Sequence, residues 1–167
     1  MTKDEQHIRR CIDIANECYD QGELPFGCVI TYEGRVVSEG YNTGLSDLTG
    51  HAEVNAMKTL RQKSPDIPFK ECTLYSNFEP CAMCSYLIRD FGIGRVVFSF
   101  SSPHVGGFTK WDILSSKIEV PFTSNGLEVP PEVVGGILEA EGRELFDKLE
   151  WKMHDPRGIE TLQLPLN

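Results

Sequence analysis

Two short segments constrain this chain more than anything else in it: His51-Ala52-Glu53 and Pro80-Cys81-Ala82-Met83-Cys84. Each is expected to open a helix, so the fold has to bring two helix N-termini together. Cys81 and Cys84 stand three residues apart, a spacing that turns both sulfurs to one side of a helix. Pro80 suits the first helical position, where its missing N–H is no loss. The positive end of the helix dipole favours thiolates there. His51 can add an imidazole and complete a set of two cysteines and one histidine. Three protein ligands leave the fourth tetrahedral position of a zinc ion open, as in catalytic rather than structural sites. Either segment alone is a weak signal; the two together are specific. A thioredoxin-like redox motif also places CxxC at a helix start after a strand. That reading leaves His51 and Glu53 without a use, and the opening hairpin is wrong for it. A purely structural zinc site needs a fourth ligand, for which His104 is the spare histidine in a suitable loop.

The rest of the chain frames these segments. Apolar residues recur at helical spacing from Asp4 to Gln21, with Gly22 as the stop. PFGCVITY and RVVSEGY read as a hairpin turning at Glu33-Gly34. NTGLSDLTG is loop by composition, HAEVNAMKTLRQK a helix, ECTLYSN a strand, PCAMCSYLIRDF a helix and GRVVFSF a strand. The stretch SSPHVGGFTKWDILSS is expected to be irregular with one short helix. LEV is expected to form a short fifth strand, and Pro130 to Trp151 a last helix weakened by Gly135-Gly136. A hairpin followed by strand–helix alternation implies a mixed sheet covered by helices.

Length fits one domain over residues 1–167, with the tail from about 152 unassigned. No apolar run approaches the roughly 20 residues that cross a bilayer. The opening MTKDEQHIRR is not a secretory signal. A cytoplasmic, membrane-free protein is therefore expected. Disulfides are not expected among the six cysteines, and Cys11, Cys18, Cys28 and Cys72 read as small buried hydrophobes. A net charge of -9 weighs against a nucleic-acid partner.

The pairing of HxE with PCxxC matches the signature of zinc deaminases. PFGCVI, EGYN, HAEVNAM, CTLYSNFEPCAMC and IGRVVF extend the likeness from about Pro25 to Phe100. In these segments the chain resembles the cytidine-deaminase superfamily, in the branch of guanine, fungal cytosine and tRNA adenosine deaminases. The resemblance implies an α/β fold, three-layer α-β-α with a mixed five-stranded sheet, and a homodimer. It implies one zinc per chain on His51, Cys81 and Cys84, with Glu53 as the proton shuttle. It places Asn42, in EGYN, against the substrate, and Phe26 on the pocket wall beside the base. The expected reaction is hydrolytic deamination of an amino-substituted nucleobase or nucleoside, of the guanine or cytosine type, to the oxo product and ammonia. The alternative is adenosine-to-inosine deamination in tRNA.

Charge explains why a carboxylate is needed. Two thiolates neutralise the zinc ion, which then acidifies water less than an all-histidine site would. Glu53 has to take that proton and pass it to the ring nitrogen and the leaving amine. Glu79 has no catalytic part in this scheme. The segment SSPHVGGFTKWD and the mixed or acidic helix EAEGRELFDKLEWK depart from the tRNA-editing pattern. Trp111, His104, Trp151, His154 and Asp155 are candidates for a lid, Asp155 as a possible pocket carboxylate. Tyr86, Leu87, Ile88 and Phe91 make a helix apolar on more than one side, which needs a second surface such as a partner's equivalent helix.

Overall fold

A computed structural model describes residues 1–116 and 129–147. Helix α1 spans Lys3–Asp20 and opens on a capping box: Thr2 Oγ1 accepts from the Glu5 N–H, and the Glu5 carboxylate accepts from the Thr2 N–H. Strands β1 (Gly27–Tyr32) and β2 (Arg35–Tyr41) form the expected hairpin. Glu33 and Gly34 both take positive φ at its turn, as a two-residue connection matched to the strand twist demands. Helix α2 covers Ala52–Lys63, strand β3 Cys72–Phe78, helix α3 Ala82–Phe91 and strand β4 Arg95–Phe100. Strand β5 is Glu132–Val134 and helix α4 Glu139–Asp147.

The five strands lie in the order β2-β1-β3-β4-β5. β1 runs antiparallel to β2 and β3, whereas β3, β4 and β5 are parallel. Side chains alternate across the sheet with period two. Cys28, Ile30, Leu74, Val96 and Phe98 face the core under α2 and α3. Val29, Tyr75 and Val97 face the core under α1, which Leu145 of α4 also enters. The sandwich of helices around a mixed sheet is the architecture expected.

Two glycines set how closely the helices approach. A Cβ on Gly27 would lie 2.2 Å from the Cys11 carbonyl of α1, and one on Gly40 2.2 Å from the Ala52 carbonyl of α2. At the far end of α1, Asp4 takes two bonds from Arg95, at 2.9 and 2.8 Å, and one from the Tyr75 hydroxyl at 3.0 Å. This ties the helix to β3 and β4. Cys11, Cys18, Cys28 and Cys72 are free and buried, as expected of small hydrophobes.

The last third departs from expectation. Val129, the described part of LEV, sits in a bend; Leu127 and Glu128 lie outside the described residues. The fifth strand instead comes from residues expected to be helical. Glu132-Val133-Val134 pairs with Arg95-Val96-Val97, so β-branched residues beside a parallel strand prevail over helical periodicity. Gly136 and Leu138 then take positive φ, and α4 begins only at Glu139. The short helix expected between Ser101 and Ser116 is absent; those residues form turns.

Candidate active site

The site assembles where the C-terminal end of β3 meets the first residues of α2 and α3. His51 is the N-cap of α2, and its side chain makes no capping bond. Cys81 is the N-cap of α3, and Cys84 lies in that helix's first turn. Their donor atoms converge: Nδ1 of His51 lies 3.5 Å from Cys81 Sγ and 3.4 Å from Cys84 Sγ, and the sulfurs are 3.7 Å apart. Bond lengths typical of tetrahedral zinc require about 3.6 Å between sulfur and nitrogen and about 3.8 Å between sulfurs. The triad therefore fits zinc in both donor chemistry and spacing. Cys84 is buried, while His51 and Cys81 remain partly open. The hydrogen bond between the two thiols holds Cys81 down to about 4, and the same bond, with burial, pushes Cys84 up. The bond to Cys81 raises His51.

Glu53, the second residue of α2, is buried with 6% of its surface exposed. Burial pushes its carboxyl up. One oxygen, Oε2, lies 3.5 Å from Cys84 Sγ, and the other accepts from the Ser76 hydroxyl at 2.9 Å.

Asn42 follows β2 directly. Its N–H donates to the Phe26 carbonyl at 3.1 Å, and the next residue, Thr43, pairs with Gly50 at 2.6 Å. That pair closes the loop, so Asn42 and His51 flank its base. Asn42 Nδ2 donates to Glu23 at 3.0 Å. Carboxylate oxygens only accept, so Glu23 fixes which end of the amide faces it. Phe26 is half-buried, with its ring centroid 5.6 Å from Phe78 and 5.9 Å from Phe146. Asn77 secures that corner by donating to the Pro25 carbonyl and accepting from the Gly27 N–H.

Glu79 is almost fully buried and holds the loop after β4. It accepts the backbone N–H groups of Ser102, Phe108 and Thr109 at 2.6, 3.0 and 2.7 Å, and the Thr109 hydroxyl as well. A Cβ on Gly106 would strike this carboxylate, and the Gly107 N–H bonds the Pro80 carbonyl. The loop is thus fastened to the turn that carries Cys81 and Cys84. Trp111 and His104 are exposed on it, and His104 does not join the converging donors. Trp151, His154 and Asp155 lie outside the described residues. Sequence reading missed the parts of Ser76, Glu23 and Glu79. The one local signal was an acid directly before Pro-Cys, followed far along the chain by Gly106-Gly107.

Residues 1–100 match the model of the cytidine and deoxycytidylate deaminase zinc-binding region. The chain belongs to that family. A probable cytosine deaminase of Schizosaccharomyces pombe is 33% identical over 147 residues, covering 83% of this chain and 87% of the relative. A tRNA-specific adenosine deaminase of Haemophilus influenzae is 28% identical over 96% of this chain and 91% of its own length. The fold is shared with a structure from work on A-to-I editing by tRNA:A34 deaminases (TM-score 0.72, 24% identity, 84% of this chain and 98% of that one). It is shared too with a guanine deaminase from Nitrosomonas europaea (TM-score 0.66, 20% identity, 86% and 82%). This deaminase is therefore a C–N hydrolase acting on nucleobases or nucleosides, and its cofactor is zinc, for which His51, Cys81 and Cys84 form a possible site.

Proposed function

We propose that this deaminase acts on a free base or nucleoside of the guanine or cytosine type. The observation that carries the reading is the placement of a buried carboxylate, Glu53, against a three-donor metal site. Zinc, held by His51, Cys81 and Cys84, supplies Lewis-acid activation of water when bound. Glu53 takes a proton from the attacking water and returns it to the ring nitrogen. It then takes the second proton from the new C–OH group as C=O forms and hands it to the departing amine, so C–NH2 and water become C=O and ammonia. Its buried setting keeps the carboxyl poised to hold a proton between these transfers. Asn42 hydrogen-bonds the base or ribose of the substrate, and Phe26 forms the pocket wall beside the base. Residues 1–167 are read as one domain, with the tail from about 152 unassigned, working in the cytoplasm. None of the described helices is long and apolar enough to cross a membrane.

We further infer a homodimer. Ile88 is buried within the chain and Leu87 packs against its core, but Tyr86 and Phe91 of α3 stay exposed at 50% and 39%. Trp111 is exposed at 55%. Burying such aromatics is a main source of interface energy.

The acidic balance supports a small substrate over tRNA. It extends to α4, which carries Glu139, Glu141, Glu144 and Asp147 against Arg143. Editing of a tRNA adenosine is the second reading, favoured by the near full-length likeness to the H. influenzae enzyme. Ammonia release from cytosine, guanine, their nucleosides and an anticodon stem-loop decides between the two. Turnover of a free compound is expected; turnover of the stem-loop alone would replace the first reading with the second.

A further inference from the structure

We propose that Ser76 is the positioning residue of the proton shuttle: its hydroxyl holds the Glu53 carboxylate so that one oxygen is left to do the chemistry. The inference rests on reading Glu53 as the shuttle.

Ser76 lies in β3 with no exposed surface. It shares the strand face of Cys72 and Leu74, which form the core under α2 and α3. Its partners across the sheet are Cys28 in β1 and Phe98 in β4. Both belong to the same apolar core, so packing at this position does not call for a hydroxyl. A buried hydroxyl is costly unless it is bonded, and this one is bonded to Glu53 at 2.9 Å. It also accepts the Phe78 N–H over a longer 3.5 Å, which leaves its single hydrogen for the carboxylate.

The two oxygens of Glu53 are thereby made different. Oε1 is held by Ser76, and Oε2 faces the metal triad, 3.5 Å from Cys84 Sγ. An aliphatic side chain at position 76 would remove the one side-chain hydroxyl on Oε1 and loosen the carboxylate about its terminal torsion, leaving its own backbone N–H and the Cys84 contact to hold it. Proton transfer is sensitive to such rotation, because donor and acceptor must stay within hydrogen-bond reach. The hydroxyl acts on orientation and has no part in holding metal or ring.

Threonine and valine have one shape and differ only in the hydroxyl, so Ser76→Thr and Ser76→Val form the test in the zinc-loaded full chain. Cytosine, guanine and an anticodon stem-loop serve as probes. The expected result is that Ser76→Thr retains most of the wild-type kcat, whereas Ser76→Val loses on the order of 10- to 100-fold in kcat with KM little changed. Zinc content and Tm should match between the two variants. Equal kcat for the pair, or a loss confined to KM, would overturn the proposal. Crystal structures of the two zinc-loaded variants give a readout independent of turnover: Glu53 should keep its orientation in Ser76→Thr and lose it in Ser76→Val. An unmoved Glu53 in the valine variant would sink the idea even if no probe were turned over. If Glu53→Gln remains active, it is the shuttle assignment that fails. If Glu53→Gln is inactive while the Ser76 pair is equal, only the present proposal fails.

Discussion

Two glutamates lie buried beside the turn that carries Cys81 and Cys84 and are treated in opposite ways. Glu79 is saturated: three backbone N–H groups and a hydroxyl converge on its carboxylate. Glu53 accepts from the Ser76 hydroxyl and its own backbone N–H, and its Oε2 faces the thiol of Cys84. Adjacency to the motif therefore does not single out the acid proposed to work. A carboxylate that gathers amides organises backbone, whereas the one turned toward the His51, Cys81 and Cys84 donors is the one proposed to move a proton.

The sharpest way to break this contrast is to neutralise each acid in turn. Glu53→Gln should lower kcat by about 1,000-fold, within the range for a lost general acid–base. Zinc content should stay at one per chain and Tm should hold or rise, since a buried charge has been removed. A loss of only a few-fold in kcat would mean that another group carries the proton. Glu79→Gln should do the reverse. Turning an amide toward N–H donors leaves buried groups unpaired and should cost about 3 kcal/mol. At this chain length that corresponds to a fall in Tm of roughly 6–12 °C. An unchanged melting curve would show that the loop after β4 does not depend on this carboxylate.

A third acid, Asp4, stands at the protein's edge in a salt bridge with Arg95. Asp4 is partly exposed, and hydrogen bonds from Arg95, the principal cause, hold its carboxyl below the usual value. A lowered folded-state pKa adds stability above the unfolded value, and that stability is lost as pH falls through the folded one. Asp4→Asn should therefore lower Tm at pH 7 by the equivalent of about 0.5–1 kcal/mol, the range for a screened pair. The gap from wild type should narrow in melts taken below about pH 4. A gap that is constant with pH would show that the pair acts through packing alone.

Much of this arrangement was legible in the sequence, because the residues concerned are local. HxE and PCxxC declare themselves by spacing, and α1, the hairpin and β3 to β4 follow from periodicity and turn residues. The partners of those residues were not legible. Ser76 reaches Glu53 across the interior, Glu23 reaches Asn42 across a loop, and Glu79 holds amides far along the chain. Long-range pairing leaves no period in a sequence. The misplacement of β5 has a different cause. Val133 and Val134 fit the apolar pattern of either element, and the open edge of β4 decided between them.

A Cβ on Gly40 would meet neither the His51, Cys81 and Cys84 donors nor the Glu53 carboxylate, yet the atom it crowds is the carbonyl of Ala52, the residue between His51 and Glu53. A single methyl at position 40 would drive that carbonyl away and carry the histidine and the glutamate with it. The proposed site can thus be broken by an inherited change that leaves every one of its own residues intact. In a survey of natural variation, position 40 would stand with the active site although it lies in a strand.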